Sequence, residues 1–132
     1  VQNIPEKSFD QWNLLKKDIY RRFLPNTPLE GEVWWAYLGL NIGHEQDGAG
    51  RKFLRPVLVV KKFSARVCWA LPLSRQRPKF LTYLDVSVSV GTSCFATFAN
   101  LRSIDTKRLE SLMFVITKDI FNEIRNGLKE LL

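Results

Sequence analysis

Cysteines and long apolar runs are scarce in this 132-residue chain, and each scarcity narrows what the protein can be. The two cysteines, Cys68 and Cys94, sit inside apolar runs with no CxxC or Cys/His spacing. That pattern argues against a zinc site and against a disulfide framework, so both are expected to be reduced and buried in a cytoplasmic protein. No stretch approaches the roughly 18 uninterrupted apolar residues that a membrane span needs, and no signal-peptide pattern opens the chain. Residue 1 is Val rather than Met, which leaves room for a segment upstream. Internal repeats, low-complexity tracts and heptads are also missing. What is present, 45% hydrophobic and 12% aromatic residues, is the composition of one compact domain rather than of a disordered chain.

The formal charge is +7, and its location is more informative than its size. Residues 1–30 and 81–132 are each close to neutral. Residues 31–80 carry nine Lys/Arg (Arg51, Lys52, Arg55, Lys61, Lys62, Arg66, Arg75, Arg77, Lys79) against Glu32, Glu45 and Asp47. A segment of this kind attracts polyanions, nucleic acid foremost. Charge alone supports a solvated, solubilising surface equally well.

Hydrophobic periodicity divides the chain. Ser8 and Gln11 have the S-x-x-Q spacing of a capping box, and Phe9, Trp12, Leu15, Ile19 and Phe23 follow at helical spacing until Pro25 and Pro28. From Glu32 to Phe98 the period is that of strands. Val33, Trp35 and Tyr37 alternate with Trp34, Ala36 and Leu38, so both faces of that strand are apolar and both need cover, from the N-terminal helix or a partner subunit. A Gly-rich polar loop, 41–54, leads to short runs at 55–63, 65–73, 79–88 and 93–99. Closely spaced strands of this kind predict a small, strongly bent antiparallel sheet closing on itself. After Asn100 the reading is helical again: a short piece over 105–112, then a helix capped by Thr117 with Ile120, Phe121, Ile124, Leu128 and Leu131 on one face. The expected fold class is mainly β (α+β), a single domain over 1–132, with residues 1–28 a helical extension.

Three segments read together carry a resemblance: GEVWWAYLGLNIGHEQDG (31–48), RPVLVV (55–60) and NLRSIDTKRL (100–109). In order and spacing they resemble the MazF/PemK family of toxin endoribonucleases from toxin–antitoxin modules, over about residues 30–132. The resemblance implies a small SH3-like β-barrel with a C-terminal helix, here with an added N-terminal helix. It also implies a homodimer, inhibition by a cognate antitoxin, and cofactor-free, metal-independent cleavage of single-stranded RNA.

Metal-free RNA cleavage uses the ribose 2′-OH as nucleophile. It requires a proton acceptor, a proton donor for the leaving 5′-oxygen, and cations or hydrogen-bond donors for the phosphoryl oxygens. Arg55 suits the last role, since its planar fork is permanently charged and matches two phosphate oxygens; the family's matching arginine is catalytic. Ser74, at the end of ALPLS, falls where the family usually has a catalytic threonine and keeps the hydroxyl donor. Glu45 matches the Glu of the family loop and is a candidate to take the 2′-OH proton or orient Arg55. His44, the sole histidine, is of the residue type that most often shuttles protons, although a plain loop histidine is the default reading. Gln46 is expected to recognise a base or order the loop. Arg51, Lys52, Arg75, Arg77 and Lys79 complete the expected RNA contacts.

Two departures from the family pattern stand out. Between Glu45 and Arg55 the loop is several residues longer than usual, the extra residues lying within AGRKFL. The PemK branch also carries an Arg and an Asp just before its RTID-like segment, where this chain has Thr97 and Ala99. Arg102 and Asp105 match that segment and are read as fixing a turn. Trp34, Trp35, Trp69 and Phe80 are possible base-stacking groups; Trp35 and Trp69 are assigned to the core or a dimer interface. A non-catalytic relative that binds a protein, as the gyrase poisons do, and a nucleic-acid-binding module both stay open as alternatives.

Overall fold

A computed structural model describes residues 6–22 and 26–132. The N-terminal helix α1 runs Phe9–Tyr20. Seven strands follow: β1 Glu32–Tyr37, β2 Leu54–Lys62, β3 Val67–Ser74, β4 Tyr83–Asp85, β5 Phe95–Thr97, β6 Arg102–Asp105 and β7 Leu109–Val115. A one-turn helix, α2 (Ser87–Val90), interrupts them, and α3 (Lys118–Glu130) closes the chain.

Every pairing is antiparallel, in the order β4-β5-β3-β2-β1-β7, with β6 also paired to β3. β3 is the hinge of this arrangement. Its first half pairs with β6 and its last two residues, Leu73 and Ser74, pair with β5, while its other edge holds β2. Register shifts between Val59 and Lys61 on β2, and twice along β1, mark bulges that bend the strands toward a barrel. The ends of the path, β4 and β7, are not paired to each other, so the barrel is approximate rather than closed.

Alternation along β1, β2 and β3 sends apolar side chains to both faces, as the doubly apolar β1 pattern requires. Val33, Leu58, Val60, Leu71 and Leu73 face one core, sealed by Ile124 of α3 together with Ile120, Phe121 and Leu128. Trp34, Ala36, Val57, Val59, Cys68 and Ala70 face the other, sealed by Leu38, Ile104 and Leu109. Each fully buried Leu or Ile contributes roughly 1.5–3 kcal/mol, so α3 is integral to the fold. Its approach is close: a Cβ on Gly127 would lie 2.5 Å from the Phe98 ring. Thr117 caps α3 through its hydroxyl, as expected, accepting from Ile120 N. Leu131 ends up 52% exposed.

The structure corrects several expectations. Ser8 makes no side-chain cap bond. Phe23 and Pro25 lie outside the described residues. The helical piece at 105–112 is instead a 3₁₀ turn, Thr106–Arg108, followed by β7. The free edge of β1 needs hydrogen-bond partners, and LESLMFV supplies them, with Trp34 opposite Leu112 and Trp35 opposite Ser111. The runs at 79–88 and 93–99 shrink to three-residue strands flanking α2. Trp35 and Trp69 are not core residues of this chain, being 36% and 44% exposed. Trp69 packs edge-on against Phe63, ring centroids 5.0 Å apart.

The helix α1 reaches the Trp34/Trp35 strand at its last residue, Tyr37. It buries Trp12 and Ile19 against Tyr37 and Phe53, at the end of β1 and the root of the following loop. Both cysteines are free and buried; burial pushes the Cys68 thiol up to about 11 and raises that of Cys94, so both stay protonated at neutral pH.

Candidate active site

Loop 41–54, polar and glycine-rich in sequence, is a built structure. Asn41 N donates to Asp47 Oδ1 at 2.7 Å, and Asn41 Nδ2 donates to the Gln46 carbonyl at 2.8 Å. Gly48 N donates to the Gly39 carbonyl at 2.7 Å. Residues 49–54 form a miniature hairpin in which Ala49 and Leu54 exchange both backbone bonds, at 2.8 and 2.9 Å. Closing it places Phe53 at φ 54°, a costly value for an aromatic residue, offset by burying its ring edge-on against Trp12. Gly48 is required here, since a Cβ would sit 1.7 Å from the Phe53 carbonyl oxygen.

This hairpin delivers its neighbours to Arg55, the second residue of β2. The guanidinium donates through Nε to the Asp47 carbonyl and through Nη1 to the Leu73 carbonyl at 3.2 Å. The Gln46 carboxamide lies between Arg55 and Asn100. With its oxygen turned toward the guanidinium, it accepts from Arg55 Nη2 at 2.9 Å, and the Asn100 amide nitrogen stands 3.1 Å away on the other side. Arg55 is half-buried. Burial holds its pKa below the ordinary arginine value, partly countered by the negative charge of Asp47. It nevertheless remains a cation at neutral pH.

Arg55 and Ser74 line one groove of about 650 Å³, together with Gln46, Arg75, Gln76 and Thr92. The topology brings the first two together: the Leu73 carbonyl that receives Arg55 belongs to the residue before Ser74, at the end of β3 where it crosses from β2 toward β5. Ser74 Oγ accepts from Gln76 N at 3.1 Å, which leaves its proton available to a ligand. Much of the lining is apolar, with Trp35, Pro56, Met113 and Phe114 among it; its polar part consists of cations, hydroxyls and amides, with no carboxylate or imidazole. Arg55, Arg75 and the hydroxyls form a donor set chemically suited to an anion.

The remaining candidates are placed elsewhere. Glu45 is exposed; its Oε1 accepts from Ile42 N at 2.9 Å, and it lines a separate pocket with Asn100 and Arg102, beyond the Gln46 wall. His44 is exposed at the outer end of the loop, facing the start of α1. Arg51 and Lys52 project into solvent from the hairpin turn. Arg77 lies on the Tyr83 ring, 5.6 Å from its centroid, and donates to its hydroxyl at 2.6 Å. Lys79 is exposed, next to a Phe80 that is 95% exposed. Asp105 accepts from Lys107 N at 2.8 Å and caps the 3₁₀ turn, the structural role expected of it. Among the described residues no three His, Cys, Asp or Glu side chains are grouped so that they could hold a metal ion.

Sequence reasoning missed Asp47, Asn41 and Asn100. The Asp47-Gly48 dipeptide is a turn signal whose carboxylate commonly bonds nearby backbone, and that was the available clue. The carbonyl groups that hold Arg55 carry no side-chain signature at all.

Residues 29–132 match the family described as PemK-like, MazF-like toxin of type II toxin-antitoxin system. Among solved structures the chain is similar to MazF from Deinococcus radiodurans, with 24% identity over 80% of this chain and 96% of that one and a TM-score of 0.62. It is also similar to an endoribonuclease from Mycobacterial species, with 18% identity over 82% and 93% and a TM-score of 0.60. A third similar structure is an endoribonuclease in complex with its cognate antitoxin, also from Mycobacterial species, with 18% identity over 78% and 92% and a TM-score of 0.57. No curated protein matches the chain.

Proposed function

Because the chain belongs to the PemK-like, MazF-like toxins of type II toxin–antitoxin systems, we propose that it is an endoribonuclease that cleaves single-stranded RNA without a metal ion. The observation that carries this reading is the Arg55 guanidinium, fixed by two backbone carbonyls in the groove that also holds Ser74. A scissile phosphate in that groove takes one charge-assisted contact from Arg55 and a hydroxyl donor from Ser74. Arg75 adds a second positive charge at the rim. Attack by the adjacent 2′-oxygen, its proton passing to solvent, forms a new P–O bond and breaks the bond to the 5′-oxygen, which takes a proton from solvent, leaving a 2′,3′-cyclic phosphate and a 5′-OH. Arg55 and Ser74 stabilise the extra charge carried by the phosphoryl oxygens at the midpoint of that displacement.

Proton transfer is less well provided for. Glu45 lies beyond the Gln46 side chain, so a role as general base needs the substrate to reach across that wall, and His44 lies farther out along the same loop. Of the two roles expected of Gln46, ordering the loop suits its position between Arg55 and Asn100. Arg51, Lys52, Arg77 and Lys79 act at longer range, raising the local concentration of RNA. A cognate antitoxin is the expected inhibitor, and a second copy of this chain is the expected partner, on the face that exposes Trp69 and beside the groove that Trp35 lines.

Purified protein incubated in EDTA with single-stranded RNAs of varied sequence should produce fragments ending in 2′,3′-cyclic phosphate. Folded protein that leaves every such RNA intact would sink the proposal. Growth arrest with intact RNA and damaged DNA would point instead to a gyrase-directed relative.

A further inference from the structure

The helical extension is the part of the chain that the family match leaves out, since the match begins at residue 29. Its first described residues nevertheless touch the loop that holds Arg55. Lys7 Nζ forms an ion pair with Asp47 Oδ2 at 2.8 Å and donates to the Asn41 carbonyl at 2.6 Å, with the Gly43 carbonyl at 3.4 Å. An ammonium has three protons, and three loop acceptors surround this one. Both ends of the ion pair are about three-quarters shielded, with side-chain exposures of 26% and 25%, so solvent screens the pair less than at an open surface.

We propose that Lys7 is a positioning residue for Arg55, acting through Asp47. The chain of contacts is short. Lys7 fixes the Asp47 carboxylate, whose other oxygen accepts from Asn41 N, and the backbone carbonyl of that same Asp47 receives Arg55 Nε. Asn41 in turn binds the carbonyl of Gln46, whose side chain lies on the guanidinium. A second brace from α1 holds the root of the loop. The Trp12 ring packs so closely over Gly39 that a Cβ there would lie 1.9 Å from it, and the Gly39 carbonyl anchors Gly48 N. The extension thereby adds a brace from outside the barrel to the loop's own hairpin, and holds the guanidinium against the β3 end that carries Ser74.

This inference rests on the ribonuclease reading for its kinetics but not for its structural readout. In the full chain, Lys7→Met keeps the aliphatic stem and removes the charge, and Asp47→Asn keeps the acceptor for Asn41 N. Lys7→Met should lower kcat about tenfold with KM for RNA nearly unchanged, since small misplacement of a reacting group costs rate rather than affinity. Lys129→Met on α3, a charge-matched control, should leave kcat as it is. Combined with Asp47→Asn, Lys7→Met should cost nothing further. The Arg55 Nε–H resonance should shift in Lys7→Met and not in Lys129→Met, whether or not the protein cuts RNA. An unchanged resonance overturns the proposal, as does a loss confined to KM or fully additive in the double variant. Wild-type protein that cuts no RNA, with the resonance shift intact, defeats the ribonuclease reading and leaves the positioning role standing.

Discussion

Two loops border the groove, and both carry cations, yet they are built in opposite ways. Loop 41–54 is knitted to itself and to its surroundings by backbone bonds, a hairpin, the Asn41–Asp47 pair and the Trp12/Phe53 packing. The segment 75–82 is open: apart from Arg77 resting on Tyr83, its cations and its Phe80 face solvent. A fixed cation stabilises a transition state because no reorganisation is needed at the moment of reaction, whereas a free cation mainly raises encounter and affinity. Of the nine basic residues between positions 31 and 80, the groove uses Arg55 and Arg75, and only the first is held by carbonyl groups. On the proposed reading, the +7 of the chain is therefore mostly a field around the groove rather than its machinery.

This contrast is breakable by mutation. The largest effect should come from Arg55→Ala, with cleavage falling on the order of 10²–10³-fold, the cost of removing one preorganised donor. Its thermal denaturation should show a loss of only about 1 kcal/mol, because Arg55 is half-buried at the groove wall and lies outside the apolar core. A variant cutting at wild-type rate would dissolve the distinction between the two loops.

Next comes Gly48→Ala. Its Cβ has no room beside the Phe53 carbonyl, so the hairpin must open, and kcat should fall at least about tenfold through displacement of Arg55. Native-state hydrogen exchange at Ala49 and Leu54 should speed up in the same variant; unchanged protection there would mean that the loop is not rigid in the sense argued. Ser74→Ala should cost about tenfold in kcat, and Ser74→Thr should restore it, since the hydroxyl rather than the turn contact is at stake.

The open loop should behave differently. Arg77→Gln combined with Lys79→Gln should leave kcat intact and raise KM a few-fold, with a salt dependence of binding shallower by about one to two units of slope. Arg51→Gln with Lys52→Gln, at the tip of the hairpin and away from the groove, should change least, below about twofold in KM at physiological salt. A kcat effect from either pair would erase the comparison.

Legibility in the sequence followed the physics of each feature. The doubly apolar strand Val33–Leu38 was readable because burial on both faces is written in side chains, and the helix at 118–130 because Thr117 and the Ile120/Ile124/Leu128 stripe agree. β7 was misread because LESLMFV satisfies a helical count nearly as well as a strand count, and the free edge of β1 decided between them. Arg55 and Ser74 were reachable through a resemblance of short segments. Glu45 and His44 were suggested by residue type and neighbourhood in sequence, and the fold turns both away from the groove, since the loop spends its reach on delivering Gln46 and the Asp47 carbonyl to Arg55.

By itself, then, the sequence determined a mainly β domain with a helix at each end, buried unpaired thiols and a basic middle, because these follow from local periodicity and from charge, which are properties of side chains. Only the tertiary structure decided which of the basic residues is held rigid, that the N-terminal extension braces the loop holding it, and that β3 ends where β2 begins. Those facts depend on backbone carbonyl groups, a close glycine–tryptophan approach and antiparallel pairing between distant strands. None of these exists until the chain is folded.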